Sequence, residues 1–190
     1  MKPTAQLYLV RHPQPLVDPG LCYGRTDLAV APAETARVVA ALSNALPAAT
    51  ALFSSPLQRC CHLARALGGA AAPTFDARLA ELDFGSWEMQ PWEHIARADI
   101  DAWAADMVDY RPGGGESVLH MAERVSAFYA DLATLALTRA IIVCHAGTMR
   151  LLAECGHGAT PRQMAQRAAA RAHRIAYGGL LVLQAGEFDV

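Results

Sequence analysis

Three short apolar runs, each ending abruptly in polar residues and each followed by a helical pattern, constrain this chain more than any other feature. Gln6 to Val10 stops at Arg11-His12-Pro13. Thr50 to Phe53 runs into Ser54-Ser55-Pro56, and Ala140 to Cys144 ends at His145-Ala146-Gly147. Such runs without polar alternation read as strands buried on both faces, and strands alternating with helices imply a parallel sheet between helical layers. The fold expected is therefore α/β, a three-layer sandwich around a central, mostly parallel sheet.

Helical spacing extends this pattern over residues 32–47, from the Ser55-Pro56 cap to Gly68, over Glu116–Leu137, over Thr148–Cys155 and over Pro161–Ala170. Phe75–Glu81 reads as extended and Trp92–Asp106 as one or two short helices. His173–Tyr177 and Leu180–Gln184 read as closing strands around Gly178-Gly179. No repeat or linker-like stretch interrupts the 190 residues, so residues 1–190 are expected to form one domain.

Composition narrows the function classes. With 53% hydrophobic residues, 18% charged and a net charge of −2, disorder is excluded and no global charge favours nucleic acid or an anionic membrane. No stretch has the apolar length of a membrane span or signal peptide. Cys22, Cys60, Cys61, Cys144 and Cys155 form no regular framework, so reduced thiols in the cytoplasm are expected. Cys60-Cys61-His62 and Cys155-Gly156-His157 lack the spacing that makes zinc ligands converge; no metal or other cofactor is expected. A homodimer is compatible with the sequence.

In a parallel sheet, ligands bind beyond the carboxyl ends of the strands. Arg11 and His12 end the first run, Arg59 lies in the first turn of the helix after the second, and His145 ends the third. Two arginines, two histidines and two helix N-termini at one edge suit a phosphoryl group. Taken singly, His12 reads equally as a sheet cap and Arg59 as a solvated helix residue, and a core histidine is the alternative reading of His145. A rival is Cys144 to Arg150, a cysteine, five residues and an arginine, which fits a phosphate-cradling thiolate loop.

Five segments carry a resemblance. Leu9-Val10-Arg11-His12, Ser54 to Arg59, Glu81 to Glu88, Gly114-Gly115-Glu116-Ser117 and Val143 to Gly147 follow the order and spacing of the histidine phosphatase superfamily, the phosphoglycerate-mutase-like fold. Within it, Pro19–Asp27 and Trp92–Trp103 look most like the alpha-ribazole phosphatase branch of cobalamin assembly. The resemblance implies a phosphomonoester hydrolase whose partner is a small phosphorylated substrate, with His12 the phosphorylated nucleophile and Arg11, Arg59 and His145 holding the phosphate. It places the proton donor at Glu81, with Glu88 a nearby competitor.

The chemistry fits those roles. A neutral imidazole can attack phosphorus, and arginines neutralise a transition state whose charge is spread over oxygens. A protonated His145 would add a positive donor, and Glu81 would need partial burial to raise its carboxyl above the ordinary value. Tyr23 and Gly24 are counted with the substrate-binding residues. Tyr23, Trp87, Trp92 and Trp103 read either as core or as a stack for a nucleoside-like ring, and Gly114–Ser117 as the pocket rim. Departures from the family lie at Pro13, Pro15 and Asp18: the prolines remove N–H donors and the aspartate would repel phosphate. A mutase, or a phosphometabolite-binding domain without turnover, are the alternative functions.

Overall fold

The computed structural model describes residues 6–47, 51–68, 72–135, 137–170 and 174–184. Strand β1 (Gln6–Arg11) leads to α1 (Pro32–Leu42), β2 (Leu52–Ser54), α2 (Gln58–Leu67) and β3 (Thr74–Phe75). After several single 3-10 turns follow α3 (Arg97–Ala105), α4 (Val118–Thr134), β4 (Arg139–Cys144), α5 (Ala146–Cys155), α6 (Pro161–Ala169) and β5 (Leu180–Gln184).

The sheet order is β3-β2-β4-β1-β5, parallel except for the edge strand β5, which runs antiparallel to β1. Side-chain alternation sorts the apolar residues into two cores. Leu7, Leu9, Ala140, Ile142 and Cys144 face α4, α5 and α6, while Val10, Ile141 and Val143 face α1 and α2. Both faces of the central strands are thus covered, which is why β1 and β4 lack polar alternation. The three-layer α/β sandwich is the architecture expected.

Several boundaries differ from the sequence reading. Helix α1 ends at Leu42 instead of reaching residue 47, because the Ser43 hydroxyl donates back to the Ala40 carbonyl and opens a turn. Helix α2 begins at Gln58 behind Leu57, with no side-chain cap, so neither Ser55 nor Pro56 occupies the expected capping positions. Helix α4 is shorter than Glu116–Leu137; it starts behind Ser117, whose side chain accepts the His120 N–H. Phe75–Glu81 is not one extended segment: Phe75 ends β3, and a 3-10 turn over Ala77–Leu79 interrupts the rest. Residues 174–177 are loop and turn, not a strand, and His173 and Thr50 lie outside the described residues.

Among the described residues no helix is long and apolar enough to cross a membrane, and no three His, Cys, Asp or Glu gather as metal ligands.

Candidate active site

The carboxyl ends of β1, β2 and β4 are laced together by backbone bonds that continue past the strands. His12 N–H donates to Cys144 O and Ser55 N–H to Val143 O, both at 3.0 Å. This brings His12, Ser55 and His145 to one point, although the two histidines are far apart in the chain. Their ring centroids are 5.0 Å apart.

His12 is 3% exposed, and its Nδ1 lies 2.7 Å from the Pro13 carbonyl. A carbonyl only accepts, so Nδ1 carries the proton and Nε2 keeps its lone pair. Burial, with Arg59 and Arg11 nearby, pushes its pKa down to about 3 against the stabilising Pro13 bond. His12 is therefore a neutral imidazole with a defined nucleophilic nitrogen. Pro13, a departure from the family pattern, supplies the orienting acceptor through its carbonyl.

His145 is fully buried and does not line the cavity. Arg59 Nε donates to its Nδ1 at 3.4 Å, so Nε2 holds the proton and donates to the Ser55 hydroxyl at 2.9 Å. Burial first, then the neighbouring His12 and arginines, drives its pKa well below the ordinary value. The positive charge expected on His145 is absent, because complete desolvation and the surrounding cations oppose it. The neutral ring instead links Arg59 to the strand end of β2.

Arg59 is 1% exposed. Its guanidinium also donates to the carbonyls of Thr26 and Gly24, using three of five N–H bonds and leaving two. Gly24, expected to bind substrate, does not line the cavity. Its N–H is taken by Glu88, and a Cβ there would stand 1.9 Å from Leu82 O, so it serves as close-packed scaffold for Arg59.

The two acidic candidates separate cleanly. Glu81 lines the cavity; its Oε1 accepts the Leu82 N–H at 3.1 Å and its Oε2 the Gly147 N–H at 3.0 Å. The backbone before it is pinned by Thr148, whose hydroxyl donates to Ala80 O, and by Arg124, which donates to Ala80 O and Glu81 O while paired with Glu116. Glu88 lies off the cavity and gathers the N–H groups of Gly24, Arg25, Thr26 and Phe84 with the Thr26 hydroxyl. Burial alone would raise its carboxyl, but the Thr26 hydroxyl and those N–H groups outweigh it and hold it below the usual value. An ionised carboxylate with five donors is a loop clamp, not a proton source.

The cavity encloses about 920 Å³, and its lining includes the polar Arg11, His12, Arg59 and Glu81 and the apolar Leu82, Phe84, Trp103, Met107 and Val118. Tyr23 and Trp103 line it, whereas Trp87 is buried in an aromatic cluster with Cys22 and Ile95, and Trp92 stacks on Trp103 at 6.1 Å. Gly113 and Gly115 pack on the 83–87 backbone, where a Cβ would come within 2.2 Å of carbonyls, so this glycine turn braces the Glu81 segment from outside instead of forming a rim. Cys144 points into the core beneath α4 and α5, and burial raises its thiol well above the ordinary value. The thiolate loop is overturned by that alternation along β4: residues 140, 142 and 144 share the inner face.

Tyr177 escaped the sequence reading. It lies 5.6 Å from the His12 ring and under the Arg11 guanidinium at 3.9 Å. The antiparallel register pairing Val10 with Leu180 brings it beside His12, and only knowledge of that pairing would have revealed it.

No curated protein matches the chain in sequence. Among solved structures it is similar to an Escherichia coli K-12 protein whose proposed activity is alpha-ribazole-5′-P phosphatase, at 22% identity over 94% of this chain and 89% of that one, with a TM-score of 0.78. It is similar to mycobacterial glucosyl-3-phosphoglycerate phosphatase Rv2419c complexed with VO3, at 22% identity, 94% and 92% coverage and a TM-score of 0.75. The Thermus thermophilus protein TTHB049 shares 26% identity over 97% of this chain and 94% of that one, with a TM-score of 0.69. The model of the histidine phosphatase superfamily (branch 1) matches residues 7–178. With nearly the whole chain matched, the protein belongs to the histidine phosphatase superfamily and, by that membership, is a histidine-dependent phosphatase.

Proposed function

We propose that the protein hydrolyses a small phosphomonoester through a phosphohistidine on His12, with alpha-ribazole 5′-phosphate as the first candidate substrate. One observation carries the reading: a neutral His12 whose Nδ1 proton is held by Pro13, leaving Nε2 free in a cavity walled by Arg11, Arg59 and the Glu81 side chain. Nε2 attacks phosphorus while the leaving alkoxide takes a proton from Glu81. The resulting Glu81 carboxylate then removes a proton from water, which attacks phosphorus and releases phosphate from His12. Arg11 and the two spare N–H bonds of Arg59 neutralise the non-bridging oxygens.

The likeness to the E. coli protein supports alpha-ribazole 5′-phosphate, as does the apolar wall of Leu82, Phe84 and Trp103, which suits a planar leaving group. The proposed setting is the cytoplasm, without nucleic-acid or membrane partners.

The test is hydrolysis of p-nitrophenyl phosphate with EDTA present, by wild type, His12→Ala and Cys144→Ala. Activity should persist in Cys144→Ala and fall by at least about 10³-fold in folded His12→Ala. Alpha-ribazole 5′-phosphate, glucosyl-3-phosphoglycerate and 3-phosphoglycerate then separate the substrates and the mutase reaction. Undiminished turnover in His12→Ala overturns the mechanism. A wild type inert towards every substrate would favour a binding domain.

A further inference from the structure

Two tyrosines line the cavity beside its arginines. Tyr23, on the loop after β1, and Tyr177, on the turn before β5, meet hydroxyl to hydroxyl at 2.7 Å. Each is flanked by an arginine: Arg11 lies 3.9 Å from the Tyr177 ring centroid and Arg59 5.9 Å from that of Tyr23. Arg11, Tyr177, Tyr23 and Arg59 thus form an arc around His12, and all five residues line the cavity.

The arc is firmly anchored. Arg11 Nη1 donates to Ile175 O at 2.5 Å, Arg11 N–H to Gly179 O and Gly178 N–H to His12 O. Gly178 has φ +70°, and a Cβ there would sit 2.7 Å from Val38, so the turn is set by a residue that only glycine fills easily.

Donor counting gives the arc its chemistry. Each phenol has one O–H. In the pair, one hydroxyl donates to the other, and the second O–H has no acceptor among the described residues. Burial, then the bond to Tyr177, raises the Tyr23 phenol, so its proton is retained at neutral pH. One donor is therefore left over at the cavity wall between two guanidinium groups. Pro13 and Pro15 meanwhile remove N–H donors from the loop entering this corner.

We propose that the Tyr23–Tyr177 pair is a substrate-binding element that shares one proton internally and donates the other to an oxygen of the bound phosphoryl group. The inference rests on the phosphate-site reading above and adds to it a neutral donor between two cations. Because the hydroxyls are coupled, loss of either leaves the other free to turn its proton to the ligand. Only loss of both removes the donor.

Calorimetric binding of inorganic phosphate to wild type, Tyr23→Phe, Tyr177→Phe and the double variant tests this without requiring turnover. Phenylalanine keeps the rings that pack against Arg11 and Arg59. Each single variant should weaken phosphate binding by no more than about threefold, and the double by about tenfold or more, exceeding the product of the singles. A purely structural hydrogen bond would give the opposite pattern, since the second substitution removes nothing further; a double variant no weaker than the worse single overturns the proposal. Wild type that binds no phosphate overturns the site reading itself, a distinct outcome. If the double variant fails to fold, the tyrosine ultraviolet difference spectrum of wild type decides, because a phenol donating to phosphate must shift its absorbance and silence overturns the proposal.

Discussion

Gly147 has no side chain because Glu81 occupies the space one would need. A Cβ at this position would lie 2.3 Å from Glu81 Oε1, while the Gly147 N–H holds Glu81 Oε2. The glycine opens helix α5, where alanine would otherwise be favoured by up to about 1 kcal/mol. Gly147→Ala should therefore leave the helix intact and push the carboxylate from its place, lowering kcat towards p-nitrophenyl phosphate by about tenfold or more. Melting temperature and kcat measured together check this; an unchanged kcat would mean that Glu81 tolerates displacement and is not the proton donor. Residue identity at Arg11, His12, Arg59, Glu81 and His145 was legible from the motifs. Protonation was not. The neutral state of His145 follows from an arginine pointing at its Nδ1 and from complete burial, both products of contacts across 86 positions of chain.

At the scale of elements, the central strands β1 and β4 were readable because burial on both faces leaves an unmistakable apolar run. The helix starts were less so. Ser55 looks like a cap by its sequence, yet its hydroxyl meets His145, and α2 starts uncapped. A true capping box lies elsewhere: Thr160 accepts the Gln163 N–H, and Gln163 returns the contact at the start of α6. This helix packs Met164, Ala165 and Ala168 against the α4 side of the core. Thr160→Ala should cost about 1 kcal/mol, or about 2–4 °C in melting temperature for a chain of this size, with kcat/KM unchanged. Thermal unfolding beside a phosphatase assay reads both; loss of activity without loss of stability would give α6 a role beyond packing.

For the whole molecule, the buried neutral histidines make stability depend on pH. His12 titrates near pH 3 when folded against an ordinary value of 6.5, and His145 is shifted in the same direction. Between those limits the unfolded chain binds protons that the folded one refuses, so stability falls as pH drops through 6.5 towards 3. Each such histidine adds a slope of about 1.4 kcal/mol per pH unit inside its window. Urea unfolding at about pH 7.5, 6 and 5 should show this decline, and His12→Asn should flatten it. Equal slopes in variant and wild type would show that folding does not depress the His12 pKa.

By itself the sequence determined the layered α/β architecture and which residues gather at the strand ends. These follow from local signals, namely apolar runs, helical spacing and breaks by proline and glycine, which depend only on neighbours in the chain. Tertiary structure alone decided the rest. It brought Tyr177 beside His12 through an antiparallel edge strand, withdrew Gly24 and Glu88 into the scaffold, buried Cys144 and left His145 uncharged. Hydrogen-bond partners and desolvation set those outcomes, and both arise from residues far apart in sequence that meet only when the sheet closes.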